Sequence, residues 1–180
     1  MKHLNKILVP TDLSEDSRRG LQYACTLAAE DKAALTVLYV ANEFAAWELC
    51  CDELAFVDAP GRTWPVDRVL SEATLELNRF LERHLEMMKR IPCVTKRVVL
   101  GPVAQQIATV AEEDKADLVV MSPRRRRGFR SLITGGITGK VTRMSPCPVL
   151  SITPPLPSRP WRGKIVSLFL GWPRQSAANV

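Results

Sequence analysis

Five short apolar runs recur along the chain: Lys6–Val9 (KILV), Leu35–Val40 (LTVLYV), Val94–Leu100 (VTKRVVL), Leu118–Met121 (LVVM) and Pro148–Ile152 (PVLSI). They are too short for buried helices and are rich in β-branched residues, so they read as strands buried on both faces. The segments between them carry helical signals. Ser14 can cap a helix whose first turn holds Glu15 and Asp16, and Leu21, Ala24, Cys25 and Ala28 fall on one face of it. A long helix is predicted from Asp67 to Arg90, with Val69, Ala73, Leu77, Phe80, Leu81 and Leu85 on its apolar stripe. Another follows Gly101, with Pro102 near its first turn, and a short one spans Gly135 to Met144. Strand–helix alternation of this kind predicts an α/β fold, a single doubly wound five-stranded parallel sheet. Ligands of such sheets bind beyond the carboxyl ends of the strands, where strand order reverses. Pro10-Thr11-Asp12 after the first strand and the segment after the fourth therefore come to one crevice.

Two segments break the alternation. Residues 43–65 contain Trp47, Cys50, Cys51, Pro60, Gly61, Trp64 and Pro65 without a sustained period, and predict a long loop or partly helical insertion. After Pro154-Pro155 the alternation stops. Residues 1–154 thus form the predicted domain, and 155–180 a C-terminal extension with an apolar patch at Ile165–Leu170. That patch has the composition of a tail, of a docking segment or of a membrane-surface contact, and the residues do not choose among them.

The segment after the fourth strand reads MSPRRRRGFRSLITGGITGK, with Arg124, Arg125, Arg126, Arg127 and Arg130 inside seven positions. Together with Arg159, Arg162, Lys164 and Arg174 in the tail, this run exceeds the net charge of +6, so the rest of the chain is slightly acidic. A body of that sign weighs against nucleic acid as the partner. The glycines that follow are not a Walker loop. Thr134 stands where its first glycine belongs, and Val141 follows Lys140 where a magnesium-ligating hydroxyl is needed.

Of the cysteines, Cys25, Cys93 and Cys147 lie in or beside apolar runs and read as small buried hydrophobes. Cys50-Cys51 has neither His nor further Cys at zinc-ligand spacing. His3 and His84 are the only histidines, one terminal and one on a helix flank that reads as solvated. No nucleophile–base pair can be named, so no catalytic or metal-ligating residue is assigned. The first residues lack the apolar core of a signal peptide, and no run reaches the roughly 18 apolar residues of a bilayer span, which leads to a cytoplasmic expectation.

The stretches KILVPTDLSEDSRRGLQYACTLA, GPVAQQIATVAEEDKADLVVMS and GKVTRMSPCPVLSI, in this order, resemble the universal stress protein family over residues 5–152. The resemblance implies the strand order 3-2-1-4-5 and homodimers paired through the fifth strand, here Val149, Leu150, Ser151 and Ile152. Nucleotide-binding members carry G-x2-G-x9-G-[ST] after the fourth strand. Carried over, its first glycine is Ser122, its second Arg125, its third Gly135, and Gly136 stands at the Ser/Thr position. The helix-start cradle is kept, while Ser122-Pro123-Arg124-Arg125 replaces the glycine turn. Asp12 matches the family's acidic residue near adenine and ribose, and Val40 the residue lining adenine; Asp12 reads equally well as a cap of the first helix.

The nucleotide or anion candidates are therefore Pro10, Thr11, Asp12, Val40, Met121, Ser122, Arg124, Arg125, Arg126, Arg127, Gly135 and Gly136. The resemblance implies a non-enzymatic, homodimeric, cytoplasmic stress-response protein with a degenerate nucleotide-binding loop. One alternative keeps ATP or AMP as ligand, with arginines in place of the glycine turn. Another, of a different class, is nucleic-acid or polyanion binding through Arg124–Arg127.

Overall fold

The structure, a computed structural model, describes residues 3–41, 46–50, 53–57, 63–122 and 136–152, with the backbone alone for 46–50 and 53–57. In chain order these form β1 (Lys6–Thr11), α1 (Glu15–Asp31), β2 (Ala34–Ala41), β3 (Ala46–Cys50), β4 (Glu53–Val57), β5 (Thr63–Pro65), α2 (Val66–Glu82), α3 (Leu85–Met88), β6 (Val94–Leu100), α4 (Val103–Glu113), β7 (Leu118–Met121), α5 (Ile137–Met144) and β8 (Val149–Ser151). The main sheet runs β6-β2-β1-β7-β8 with every pairing parallel. Counting only its own strands in chain order, that is 3-2-1-4-5, the order expected.

The period of two along each strand divides the core. Ile7, Val9, Leu35, Val37, Tyr39 and Val120 point to the side covered by α1, α2 and α3. Leu8, Leu38, Val40, Val119, Met121 and Val149 point to the side covered by α4 and α5. Side chains such as Leu8, Val9, Leu35, Leu38 and Val119 have no measurable exposure. Each such burial contributes about 1.5–3 kcal/mol relative to an exposed side chain, which is why strands this short hold.

β1 runs through Pro10 although it lies in the middle of the sheet. The backbone alternation accounts for this. Asn5 accepts from Ala34 at the start of β2, and Lys6 accepts from Asp117 on the β7 side. Pro10, two pairs beyond Lys6, faces β7 as well, past the last β1–β7 register pair at Leu8↔Val119. The N–H that proline lacks has no ladder partner to lose there.

Four expectations are corrected. The span 43–65 contains no helix among its described residues; β3, β4 and β5 form a separate antiparallel sheet, order β3-β4-β5. Its register sets Trp47 opposite Phe56 and Phe56 opposite Trp64, so residues of high β-propensity stand across from one another where no helical period competes. The predicted helix 67–90 breaks after Glu82: α2 ends, His84 donates its amide to Leu81, and α3 adds one short turn. Leu85 consequently leaves the apolar stripe and is exposed. His84 goes the other way. It is buried, its ring edge-on to Phe80 at 4.9 Å between centroids. Cys93 is exposed at the entry to β6, whereas Cys25 and Cys147 are buried as expected. The extension from residue 155 lies outside the described residues.

Candidate functional site

The chain leaves the carboxyl edge of the sheet after β1 and after β7, side by side. After β1 the turn into α1 is held by its own side chains. Thr11, buried, accepts the amide hydrogen of Leu13 on Oγ1 at 3.0 Å and lies 2.9 Å from Ser17 Oγ. Ser17 Oγ in turn donates to the carbonyl of Ser14 at 2.8 Å. Ser14 is the N-cap of α1 and accepts the Ser17 amide on Oγ at 3.2 Å. Asp12 Oδ1 accepts both the Ser14 amide, at 3.1 Å, and the Ser14 hydroxyl. Within this loop Leu13 has φ +61°, the left-handed region that costs a bulky residue about 1–2 kcal/mol. Glu15 and Asp16 occupy the first turn of α1, where the dipole favours them.

After β7 the geometry is different. Ile152 donates its amide to Met121 at 2.8 Å, and Ser122 Oγ donates to the carbonyl of Ile152 at 3.0 Å. Here α1 passes close overhead: a Cβ on Gly20 would lie 3.2 Å from the Ser122 amide nitrogen and 3.5 Å from the Ser122 Cβ. Gly20 is thus part of the site's frame. Its residue type in the middle of a helix was the one signal available, and the apolar stripe of α1 hid it.

Strand parity then sorts the candidates. Val40 and Met121, both buried, belong to the α4/α5 side of the sheet, and Pro10 falls on the same side as Leu8, two residues before it. Gly136 is the N-cap of α5 on that side, with no side-chain hydrogen bond to the first turn. Asp12 is exposed just past the end of β1. The hydroxyl of Thr11 is turned to the α1 side and that of Ser122 to the β8 end, so neither enters this crevice. Val149 and Leu150 pack into the core from the edge strand, and Ser151 and Ile152 are half-buried. Arg124, Arg125, Arg126, Arg127 and Gly135 lie outside the described residues.

On the opposite side a shallow cleft of about 340 Å³ is lined by Asp12, Leu13, Tyr39, Glu76, Arg79 and Arg83. Its charges are mixed, and the Tyr39 hydroxyl reaches Glu76 at 3.4 Å.

Chemically, the α4/α5 side of the sheet edge offers the apolar side chains of Val40 and Met121 and the start of α5 at Gly136, and a helix start of this kind suits an anion. Burial pushes the Cys25 thiol up to about 11 and also raises that of Cys147, so neither is an available thiolate near neutral pH. Among the described residues no group of His, Cys, Asp or Glu could hold a metal ion, and no helix is long and apolar enough to cross a membrane.

Comparison with known proteins agrees with this architecture. The chain is 28% identical over 149 residues to Universal stress protein YxiE of Bacillus subtilis, covering 82% of this chain and 98% of that protein. The structure of universal stress protein UspA from Lactobacillus plantarum superposes with a TM-score of 0.62 at 23% identity, over 84% of this chain and 99% of that one. A universal stress protein solved in complex with cAMP superposes with a TM-score of 0.54 at 22% identity, over 84% and 98%. The sequence model of the Universal stress protein family matches residues 3–46 and 54–152, well over half of the chain, and the protein belongs to that family.

Proposed function

We propose that the protein is a non-enzymatic, cytoplasmic stress-response protein that binds an adenine nucleotide in the crevice at the carboxyl ends of β1, β2 and β7. The observation that carries this reading is strand parity: Val40, Met121 and Pro10 share the face of the sheet that α5 covers, and α5 starts at Gly136, which has no side chain to cap its first turn. Val40 and Met121 supply a floor for the base, and Asp12 stands at the rim for base or ribose hydroxyls. The amides of the first turn of α5 meet phosphate. The chain that connects Ser122 to Gly136 carries Arg124, Arg125, Arg126 and Arg127, and guanidinium groups replace the missing glycine turn as phosphate ligands. A bound cAMP in a structural relative is in keeping with a nucleotide of this size. The protein acts as a homodimer through β8, an edge strand of the sheet among the described residues, an edge suited to pairing with a second copy.

Ligands released from freshly purified protein and identified by mass spectrometry test this reading, followed by calorimetry with AMP and ATP. We expect an adenine nucleotide, saturable binding, and weaker, less salt-dependent binding after Arg124→Ala with Arg125→Ala. No heat with either nucleotide at millimolar concentration would contradict it. Retention of DNA at physiological salt, with no nucleotide bound, would favour the polyanion reading instead.

A further inference from the structure

The hydrogen bonds of the β1–α1 turn have a direction. A serine or threonine hydroxyl carries one hydrogen. Ser17 gives its hydrogen to the Ser14 carbonyl, so in the contact between the two hydroxyls at 2.9 Å Thr11 must be the donor. Thr11 Oγ1 still accepts the Leu13 amide. The relay therefore runs from the Leu13 N–H through Thr11 Oγ1 and Ser17 Oγ to the Ser14 carbonyl. The Ser14 amide and hydroxyl both go to Asp12 Oδ1. Leu13 is in the left-handed conformation, which a leucine does not hold without such support. Thr11 and Ser17 are both buried, at 6% and 4% exposure, so their bonds do not compete with bulk water.

We infer that Thr11 and Ser17 are positioning residues for the ligand-binding carboxylate. They touch no ligand. They fix the left-handed turn at Leu13, and that turn decides where Asp12, which it joins to Ser14, stands beyond the carboxyl end of β1. The inference rests on the adenine-nucleotide reading of the crevice, and it assigns to the relay the discrimination of ribose hydroxyls rather than the attraction of phosphate.

The test compares AMP with 2′-deoxy-AMP by calorimetry on the full chain. The unmodified protein is expected to prefer AMP. Thr11→Val, which keeps the shape and removes the relay atom, should weaken AMP about tenfold, in line with losing a buried hydrogen bond. It should weaken 2′-deoxy-AMP much less, so the preference collapses, and Thr11→Ser should restore it. Ser17→Ala should repeat the Thr11→Val result. Equal loss for both nucleotides, or no loss for either, would overturn the inference, as would an unmodified protein that binds both alike. An unmodified protein that binds neither nucleotide refutes the reading of the crevice itself. In that event amide exchange decides the relay separately: Thr11→Val should speed exchange at Leu13 at least tenfold, and an unchanged rate refutes it.

Discussion

The two exits of the chain beside the crevice are built from different materials. At the β1 exit, short side chains close on themselves: Thr11, Ser14, Ser17 and Asp12 satisfy one another within seven residues and hold a left-handed leucine. At the β7 exit, the frame comes from distant chain. Ser122 reaches Ile152, thirty residues on, and Gly20 of α1 allows the helix to pass against the Ser122 backbone. The first is a local device that presents one carboxylate. The second is a tertiary junction from which a strongly basic segment departs. A ligand with a polar ring system at one end and negative charge at the other matches this division of labour.

The largest effect should come from filling the tertiary junction. Gly20→Leu forces a side chain toward the Ser122 backbone, which cannot swing aside as a flexible side chain could. It should destabilise the protein by about 3 kcal/mol, the upper end for overpacking, measured by denaturant unfolding. A loss near zero would mean that α1 and β7 are not in the close contact described. Ser122→Ala removes one half-buried hydrogen bond to Ile152 and should cost about 1 kcal/mol in the same assay. If the comparison holds, this substitution leaves the preference for AMP over 2′-deoxy-AMP unchanged, because Ser122 does not act on Asp12.

A smaller effect concerns His84, on the α1 side of the sheet. Burial, with Arg18 and then Arg83 nearby, lowers its pKa below the usual 6.5. The unfolded chain therefore takes up the proton first, and the neutral buried ring contributes stability above pH 6.5 that is lost as pH falls through the lowered folded value. The melting temperature should fall between pH 7 and pH 5, and His84→Gln should flatten that slope. An unchanged slope would place the acid sensitivity elsewhere.

The main sheet was legible because its signal is redundant. Leu35–Val40 and Leu118–Met121 are apolar, β-branched and each preceded by a helix-patterned segment, and no other element type accommodates all three features. Val40, Met121 and Asp12 of the proposed site were read from position along those strands and from the family resemblance. What escaped depended on contacts between residues far apart or on short breaks. Leu85 fits the stripe of α2 by spacing, yet the helix ends at Glu82 and turns it outward. His84 looks solvated by the same spacing and is buried by Phe80. Gly20 has meaning only once β7 is known to lie beneath α1. The bond between Thr11 and Ser17 joins a strand end to the first turn of a helix, a spacing of six that matches neither the strand nor the helix period.

The central claim is that nucleotide occupies the α4/α5 side of the sheet edge. Titration of AMP into isotope-labelled protein, followed by backbone amide chemical shifts, tests it most directly. The account predicts saturable shifts at Val40, Met121 and the amides from Gly136 into the first turn of α5. Shifts confined to Asp12, Leu13, Tyr39, Glu76 and Arg79, which line the cleft on the opposite side, or none at millimolar AMP, would contradict it.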